Sequence, residues 1–469
     1  MKPGKRFTWN VLANGPIRAV VQRAGFPVVL QIVALGGIGA LAMNGWGIGL
    51  TESTDDLMTL RKTNLTTLFV WGLWWPGMIA LALLGGRLWC TVCPMELTNR
   101  LADSLARRIG WPRARMTKWL KAGWLTVTIY VVLQLLVAGL SIHRVPHDTS
   151  LMLVILLGLA LITGFVFREP RSFCKAFCPA GALLSVYGRY TPLQLDIQDP
   201  GVCQRCKSKD CVAQRNRYRF DKRSCPSLLQ PFNRKQSDGC VLCFQCAKVC
   251  PHGNLGFGAL RGEASSRKHR MLRPFEAAFV LIATGFVAHE VAGEAKGLDE
   301  IFHVFPRAMQ ALVPSIGFAW WEALWFLLLF PVALWTLVTV SSRLFGRQTL
   351  WKTLLLAAAT GAAPVVAVSH FAKAGAKIAS WLGFLPLALA DPAGIETLQR
   401  LSNHTLLPPA PLTSMPVLGW GMLLAMAVLF GRAWLWSQEA ATESLAAART
   451  GLITVTVFFG SLLIFWPWS

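Results

Sequence analysis

The chain has 469 residues, of which 54% are hydrophobic and 15% are charged, and 20 are tryptophan. This composition excludes an ordinary soluble protein and predicts an integral membrane protein. The formal net charge of +23 does not indicate nucleic-acid binding, because Lys and Arg cluster in short loops between apolar runs. In such loops they set membrane topology and face anionic lipid.

The segment before the first apolar run reads MKPGKRFTWNVLANGPIRAVVQR. It is too long and too polar for a cleaved signal peptide, and no small-residue cleavage site follows it. We expect it to remain as a cytoplasmic leader to the first membrane span.

Apolar runs long enough to cross a bilayer predict a mainly α, polytopic transmembrane fold with about nine spans. They cover residues 25–47, 65–86, 122–141, 150–168, 274–293, 318–340, 353–371, 415–434 and 450–467. The predicted parts are an N-terminal membrane domain at 1–189, a polar segment at 190–273 and a C-terminal membrane domain at 274–469.

The connection after the second predicted span is strongly basic, whereas the connection before that span, TESTDDLMTLRK, which lies on the opposite side, is much less basic. The basic residues of the connection after the second span are Arg100, Arg107, Arg108, Arg113, Arg115, Lys118 and Lys121. By the positive-inside rule this connection is cytoplasmic, and so are the N-terminus and the segment 190–273. We therefore expect a multi-pass protein of the bacterial inner membrane.

All twelve cysteines fall on the cytoplasmic side of this topology or at that membrane edge. A reducing compartment argues against a disulfide framework and favours metal ligation.

The run CVLCFQCAKVCP, which begins at Cys240, has the C-x2-C-x2-C-x3-C-P spacing of bacterial ferredoxins. In that motif the fourth cysteine binds the neighbouring cluster. A looser copy, C-x2-C-x4-C-x13-C-P, begins at Cys203. The two copies predict a two-cluster [4Fe–4S] ferredoxin-like insert at 190–273. The predicted ligands are Cys203, Cys206, Cys211 and Cys250 for the first cluster, and Cys240, Cys243, Cys246 and Cys225 for the second.

Zinc is the alternative ligand for four-cysteine sites. Zinc ligands usually come as two separated C-x2-C pairs, whereas here three closely spaced cysteines are followed by C-P, twice. This pattern favours iron–sulfur clusters.

Two further cysteine pairs, CTVCP and CKAFCP, follow the second and fourth predicted spans and should meet at the same membrane depth. Their members are Cys90, Cys93, Cys174 and Cys178. Four such thiols could hold a third metal centre or act as a redox-active dithiol. The alternative is that they pack as small apolar residues.

The segments GRLWCTVCPMELTNRLADSLARR and RSFCKAFCPAGALL, with the eight-cysteine segment that follows, resemble the membrane polyferredoxins. This family includes the H subunit of periplasmic nitrate reductase systems, the nitrous oxide reductase regulator and a cytochrome oxidase accessory protein. The resemblance covers roughly residues 65–272. It implies that the eight ferredoxin-type cysteines bind two cubanes on the cytoplasmic side and that electrons pass between them and the membrane.

Two histidines lie near the outer ends of apolar helices: His289 in GFVAHEVAG and His370 in VVAVSHFAKAG. Ionisable residues within spans are functional candidates. They could ligate a haem b or accept protons at a quinone site, with Glu290, Lys373 and Lys377 as polar companions. The alternative is that each histidine caps a helix or bonds a buried carbonyl. There is no C-x-x-C-H motif for covalent haem.

The sequence lacks a phosphate-binding loop, so electrons must come from a partner protein. We expect a basic surface on the cluster segment, which would suit an acidic ferredoxin- or flavodoxin-like donor or other subunits of a redox complex, or would face anionic lipid. It contains Lys207, Lys209, Arg215, Arg217, Arg219, Lys222 and Arg223.

These features predict a redox subunit that passes electrons between cytoplasmic carriers or the quinone pool and a membrane or periplasmic partner. Such a subunit would oxidise quinol or reduce quinone. The alternative is an assembly factor that reduces a metal or a thiol for another respiratory enzyme, with the helix-end cysteines as its working residues.

Overall fold

The computed structural model describes residues 6–219, 221–232, 239–261, 271–344, 350–437 and 442–468. They form two compact units, each assembled from segments that are distant in sequence. Unit 1 contains Met1–Gly39, Leu81–Thr126 and Ile155–Arg270, and unit 2 contains Ala40–Ala80, Val127–Val154 and Met271–Ser469. The three-part division drawn from the sequence stays a prediction.

Most of the described chain is helical. The helices are α1 (Gly15–Gln22), α2 (Val28–Gly45), α3 (Thr54–Thr63), α4 (Leu65–Gly85), α5 (Trp89–Val92), α6 (Pro94–Arg108), α7 (Lys118–Lys121), α8 (Trp124–Gly139), α9 (Pro146–Val166), α10 (Ala180–Tyr187), α11 (Pro200–Arg205), α12 (Gln245–Val249), α13 (Pro274–Ala292), α14 (Lys296–Leu312), α15 (Phe318–Leu344), α16 (Trp351–Ala390), α17 (Ile395–Ser402), α18 (Met415–Ser437) and α19 (Thr442–Ile464). The strands are β1 (Phe7–Asn10), β2 (Leu193–Ile197) and β3 (Leu255–Leu260). Three π-helical turns occur at Leu68–Trp74, Phe173–Phe177 and Trp325–Leu329.

Within the described ranges, eight helices are long and apolar enough to cross a membrane, which indicates an integral membrane protein. They are α2, α4, α9, α13, α15, α16, α18 and the C-terminal helix, apolar over Leu445–Trp468. The predicted third span corresponds to α8, which has 16 residues. At the α-helical rise it reaches about 24 Å, short of the hydrocarbon thickness. The count of nine spans therefore stays a prediction.

Unit 1 contains a three-stranded antiparallel sheet in the order β1-β3-β2. Its core includes Leu195, Leu255 and Phe257. β1 comes from the N-terminal segment and crosses β3 so closely that a Cβ at Gly258 would overlap the backbone of Trp9. The segment expected to act as a leader is therefore also part of the unit that carries the cysteines.

Unit 2 is organised around α16, which is mostly buried. Small residues bring it into close contact with α19, because a Cβ at Gly361 would overlap the carbonyl of Ala448 and one at Gly451 would overlap that of Ala358. Lipid provides no hydrophobic driving force between spans, so such close van der Waals packing stabilises their association.

Candidate metal centres and a polar cavity

The four cysteines predicted to hold the first cluster line one small cavity in unit 1: Cys203, Cys206, Cys211 and Cys250. Cys203 lies on α11 and Cys206 ends it, while Cys250 ends α12. The Asn254 side-chain amide donates a hydrogen bond to the Cys203 sulfur at 3.3 Å. The fold thus brings Cys250, the predicted long-range fourth ligand, to the three cysteines that are local in sequence.

The cysteines predicted for the second cluster also lie in unit 1. Burial and then the charge of Cys240 raise the pKa of Cys225. Burial, together with the nearby Cys225, raises the pKa of Cys243 to about 12. Cys246 is buried on α12, in the same core as the sheet. The two sites are linked directly, since the backbone N–H of Cys225 donates to the carbonyl of Cys211 at 2.8 Å.

Backbone strain in unit 1 is concentrated around cysteines. Six of the eight non-glycine residues with positive φ in the described chain lie within three residues of a cysteine: Arg171, Lys209, Lys222, Leu228, Leu242 and Phe244. Such conformations are costly and persist where the surrounding structure requires them. Leu242 and Phe244 flank Cys243, and loops of this kind can turn successive N–H groups toward one side. Cubane sulfides require such donors.

Local helix geometry places the two helix-end cysteine pairs. Cys90 lies in α5 and Cys93 caps α6, whose first residue is Pro94. Cys174 lies in a π-helical turn, and Cys178 ends that turn directly before Pro179. Proline suits the start of a helix because its missing N–H would have no partner there. The C-P dipeptides therefore place a cysteine at the entry to the next helix.

The helix-end cysteines come together within unit 1. Cys93, Cys174 and Cys178 pack against the same apolar cluster. Burial and the charges of Cys174, Cys178 and Cys90 raise the pKa of Cys93 well above its usual value. Burial likewise raises the pKa of Cys178 to about 12. Holding these sulfurs as thiolates would require a cation, and a bound metal ion supplies one.

A buried charge network adjoins these thiols. Arg223 Nη2 lies 2.9 Å from Glu96 Oε1, and Gln31 Nε2 donates to Glu96 Oε2 at 2.9 Å. Burial alone would raise the pKa of Glu96, but Arg223, Arg100 and Arg171 lower it to about 2. Three guanidinium groups thus face one carboxylate. The assignment of Arg223 to a basic surface was wrong, because the residue is only 5% exposed.

Arg171 fits an anionic cofactor in this region. Its Nη1 donates to Ser227 Oγ at 3.0 Å, whereas Nε and Nη2 have no oxygen or nitrogen partner among the described residues. The guanidinium lies near the Cys174 thiol. Burial would lower its pKa, but Cys174, Glu96 and other thiols raise it above its usual value. Unsatisfied buried donors and excess positive charge suit an iron–sulfur cluster ligated by thiolates.

Unit 2 contains a cavity of about 520 Å³. Both predicted histidines, His289 on α13 and His370 on α16, line it, together with their predicted companions Glu290, Lys373 and Lys377. The cavity also has aromatic walls, formed by Trp71, Trp75, Trp381, Phe286 and Phe326. Trp71 and Phe326 lie in the π-helical turns of α4 and α15, and such turns are frequent at functional sites.

The basic groups of the cavity have defined partners. Lys373 Nζ donates to Glu294 Oε1 at 2.6 Å and lies 3.5 Å from Glu290 Oε2. Lys377 Nζ lies 5.1 Å from the ring centroid of Trp381. Burial, and then the charges of Lys377, Arg144 and Arg61, lower the pKa of His143 to about 3. This histidine is therefore neutral at physiological pH.

Two cavity residues were missed as site residues, His303 on α14 and Glu322 on α15. His303 Nε2 lies 2.6 Å from Glu322 Oε1, and His289 Nε2 lies 3.7 Å from the same oxygen. A carboxylate inside the apolar run FAWWEALWF was the available signal. His370 packs edge-to-face on Phe286, with ring centroids 5.6 Å apart. Haem ligation by His289 and His370 stays a prediction.

Comparison with known proteins identifies an iron–sulfur protein. A family model described as a 4Fe-4S binding domain matches residues 67–112, 149–193 and 413–434. The first two segments contain the helix-end cysteine pairs.

Two archaeal relatives share part of the sequence. Uncharacterized protein MJ0749 of Methanocaldococcus jannaschii is 30% identical over 191 residues, which cover 39% of this chain and 68% of that protein. Uncharacterized protein MJ0750 of the same organism is 25% identical over 197 residues, or 38% of this chain and 75% of that protein. The chain belongs to the family of MJ0749. No solved structure matches it.

Proposed function

We propose that the chain is a membrane-bound electron-transfer protein that exchanges electrons between iron–sulfur clusters in unit 1 and a quinone in the cavity of unit 2. The observation that carries this proposal is the gathering of thiols beside excess buried arginine charge. When bound, the clusters supply one-electron transfer. The polyferredoxin subfamily predicted from the cysteine motifs is consistent with this role and remains part of the proposal.

The proposal assigns twelve cysteines to three cubanes. The two ferredoxin-type clusters would keep the ligands predicted from the sequence. The third would be held by Cys90, Cys93, Cys174 and Cys178. The match of a 4Fe-4S binding domain model to the segments that contain these four supports the assignment, and so does the buried guanidinium of Arg171 beside the Cys174 thiol.

The quinone assignment rests on the size and chemistry of the cavity. A volume of about 520 Å³ lies within the usual range for small-molecule sites. Aromatic walls suit a quinone ring. Quinone reduction takes up protons as well as electrons, and His289, His303 and His370 are titratable groups at the cavity wall. Of these, His370 would orient a carbonyl oxygen of the quinone and transfer a proton to it.

The donor side is assigned to the first cluster site. Arg205, Lys207 and Lys209 are exposed around Cys206 and form a basic rim. Such a rim would attract an acidic soluble donor of the ferredoxin or flavodoxin class. The basic connection between α4 and α8, which contains α6, supports a cytoplasmic position for this side of the protein. The pairing of β1 with β3 is consistent with it, since both strands would then lie on that side.

Anaerobic purification followed by iron, sulfide and haem quantification tests the cluster assignment. The proposal predicts about twelve iron and twelve sulfide per chain, with cubane EPR signals on reduction and no haem. Replacing Cys90, Cys93, Cys174 and Cys178 together by Ser should leave about eight iron. Equal iron in the wild type and the fourfold Ser variant would show that these four cysteines hold no cluster. A wild-type protein without iron and sulfide would refute the proposal. Stoichiometric haem would instead support ligation by His289 and His370.

The gathering of the helix-end thiols also supports a second candidate, an assembly factor that reduces a metal or a thiol for another enzyme. The same fourfold Ser variant separates the two candidates. If it keeps all its iron but no longer supports maturation of a respiratory enzyme in cells, the thiols are the working groups of an assembly factor.

A further inference from the structure

We infer that His289, His303 and Glu322 bind a divalent transition-metal ion in the wall of the unit 2 cavity. One ligand atom from each of the three side chains lies within 4.8 Å of the others. The residues come from three consecutive helices, α13, α14 and α15. This site is separate from the cysteine sites and goes beyond the proposed electron transfer.

The hydrogen bonds of His303 indicate that a cation belongs at this position. Its Nδ1 lies 2.8 Å from the backbone carbonyl oxygen of Asp299. A carbonyl oxygen accepts only, so Nδ1 carries the hydrogen and Nε2 of the neutral ring has a lone pair. Nε2 lies 2.6 Å from Glu322 Oε1, which is also an acceptor when ionised. Two lone pairs at this distance require either a proton shared between them or a metal ion that both atoms ligate.

His289 favours a metal ion over a single shared proton. Its Nε2 lies 3.7 Å from the same Glu322 oxygen, and its Nδ1 has no hydrogen-bond partner among the described residues. A proton shared by His303 and Glu322 would leave His289 unused, whereas a metal ion would engage all three side chains. Phe326 supports the His289 ring, with centroids 4.2 Å apart.

The donor set defines the class of metal. Two imidazoles and one carboxylate are typical ligands of Zn²⁺ and of non-haem Fe²⁺, and they also suit other first-row divalent ions. The Asp299 carbonyl would fix the ring orientation of His303, as an outer hydrogen-bond partner does in many metal sites. With three protein ligands, the remaining coordination positions would be available to water or to a cavity ligand.

A neighbouring group of charged residues provides the matched control. Lys373 lies 2.6 Å from Glu294 and 3.5 Å from Glu290, so these carboxylates already have a cationic partner. Glu294 lines the same cavity as Glu322, yet removal of its charge should not affect the metal site. His404, an exposed histidine of unit 2, is the matched imidazole control.

Equilibrium dialysis against buffered Zn²⁺ tests the inference. The whole chain is used in detergent with its clusters loaded, and zinc and iron are measured by mass spectrometry. We expect one zinc per chain beyond any held by thiols. Glu322→Gln and His303→Gln should each weaken its binding at least about 100-fold, while Glu294→Gln and His404→Gln leave it unchanged. Cluster iron and gel-filtration profile report the fold of each variant.

Equal zinc affinity in wild type and Glu322→Gln, with iron retained in both, would overturn the inference. If Glu322→Gln loses its iron, His289→Gln becomes the deciding variant, because His289 contributes to the site without the short bond to Glu322. The proposed electron transfer is judged separately, since clusters and quinone exchange can be present with or without zinc binding.

Discussion

Charge is arranged differently in the two units. In unit 1, three arginines lie close to one buried carboxylate, Glu96, and positive charge is in excess. Each of these arginines is also close enough to a cysteine to interact with its charge. Excess buried positive charge is unfavourable without an anionic partner. Unit 1 is therefore built for anionic cofactors.

In the cavity of unit 2, by contrast, four Lys or Arg and four Asp or Glu side chains occur among the described lining residues, so neither charge is in excess. Lys373 lies between Glu290 and Glu294, and Glu322 lies beside two histidines. Such a lining suits a neutral ligand that exchanges protons, or a cation at the histidines. Electron storage and proton exchange, the two halves of the proposed chemistry, therefore have different electrostatic surroundings in one chain.

The largest effect is expected when one proposed cluster ligand in unit 1 is removed. Cys203→Ser and Cys250→Ser should abolish the same cluster signal and remove about four iron each, although the residues are far apart in sequence. Cys240→Ser should abolish the other signal. Iron analysis and reduced-state EPR measure these losses. If Cys250→Ser and Cys240→Ser removed the same signal, the assigned exchange of fourth ligands would be wrong.

Removal of the guanidinium partner of Glu96 should give the next largest effect. Arg223→Met leaves a buried carboxylate with less compensation and should destabilise the protein by about 3–5 kcal/mol. The double variant Glu96→Gln, Arg223→Met should recover part of that loss. Thermal unfolding of the cluster-loaded protein in detergent is the measurement.

The exposed ion pair of Arg215 with Asp210 is the matched control. Its partners lie 2.6 Å apart, but the arginine side chain is 66% exposed. Arg215→Met should therefore change stability by less than about 1 kcal/mol. Similar losses of stability in Arg215→Met and Arg223→Met would show that the buried ion pair stabilises the protein no more than the exposed one does.

A large side chain that fills the unit 2 cavity should weaken quinone binding. Ala374 lines the cavity on α16, and Ala374→Trp should weaken binding of a short-chain quinone by at least about tenfold. Leu389→Trp, at an exposed position of the same helix, should leave binding unchanged. Quenching of tryptophan fluorescence by the quinone reports binding, because Trp71, Trp75 and Trp381 line the cavity. Unchanged binding in Ala374→Trp would place the quinone elsewhere.

The smallest effect is expected at the basic rim of the first cluster site. The double variant Lys207→Glu, Lys209→Glu should slow reduction by an acidic ferredoxin about tenfold at low salt and much less at high salt. Stopped-flow absorbance measures this rate. A rate that is independent of charge and salt would indicate that the rim faces lipid or another subunit.

The sequence was most informative where ligands are local. The spacing from Cys240 to Cys250 predicts a cluster motif, because one short loop would supply several of the proposed ligands. The long-range features were not predictable in this way. Neither the pairing of β1 with β3 nor the approach of His303 to Glu322 leaves a periodic signal, since each depends on how distant helices and strands pack. Arg223 was misassigned for the same reason: a charged residue in a basic loop gives no local sign that it will be buried.

Reoxidation of the reduced clusters by quinone tests the proposed electron transfer between the two units. The protein is reduced under anaerobic conditions in lipid nanodiscs, freed of reductant and mixed with a short-chain quinone while cluster absorbance is followed. We expect prompt reoxidation in the wild type, at least about tenfold slower reoxidation in Ala374→Trp, and full cluster content in both. Clusters that stay reduced in the presence of quinone, or that reoxidise equally fast in Ala374→Trp, would contradict the proposed electron transfer.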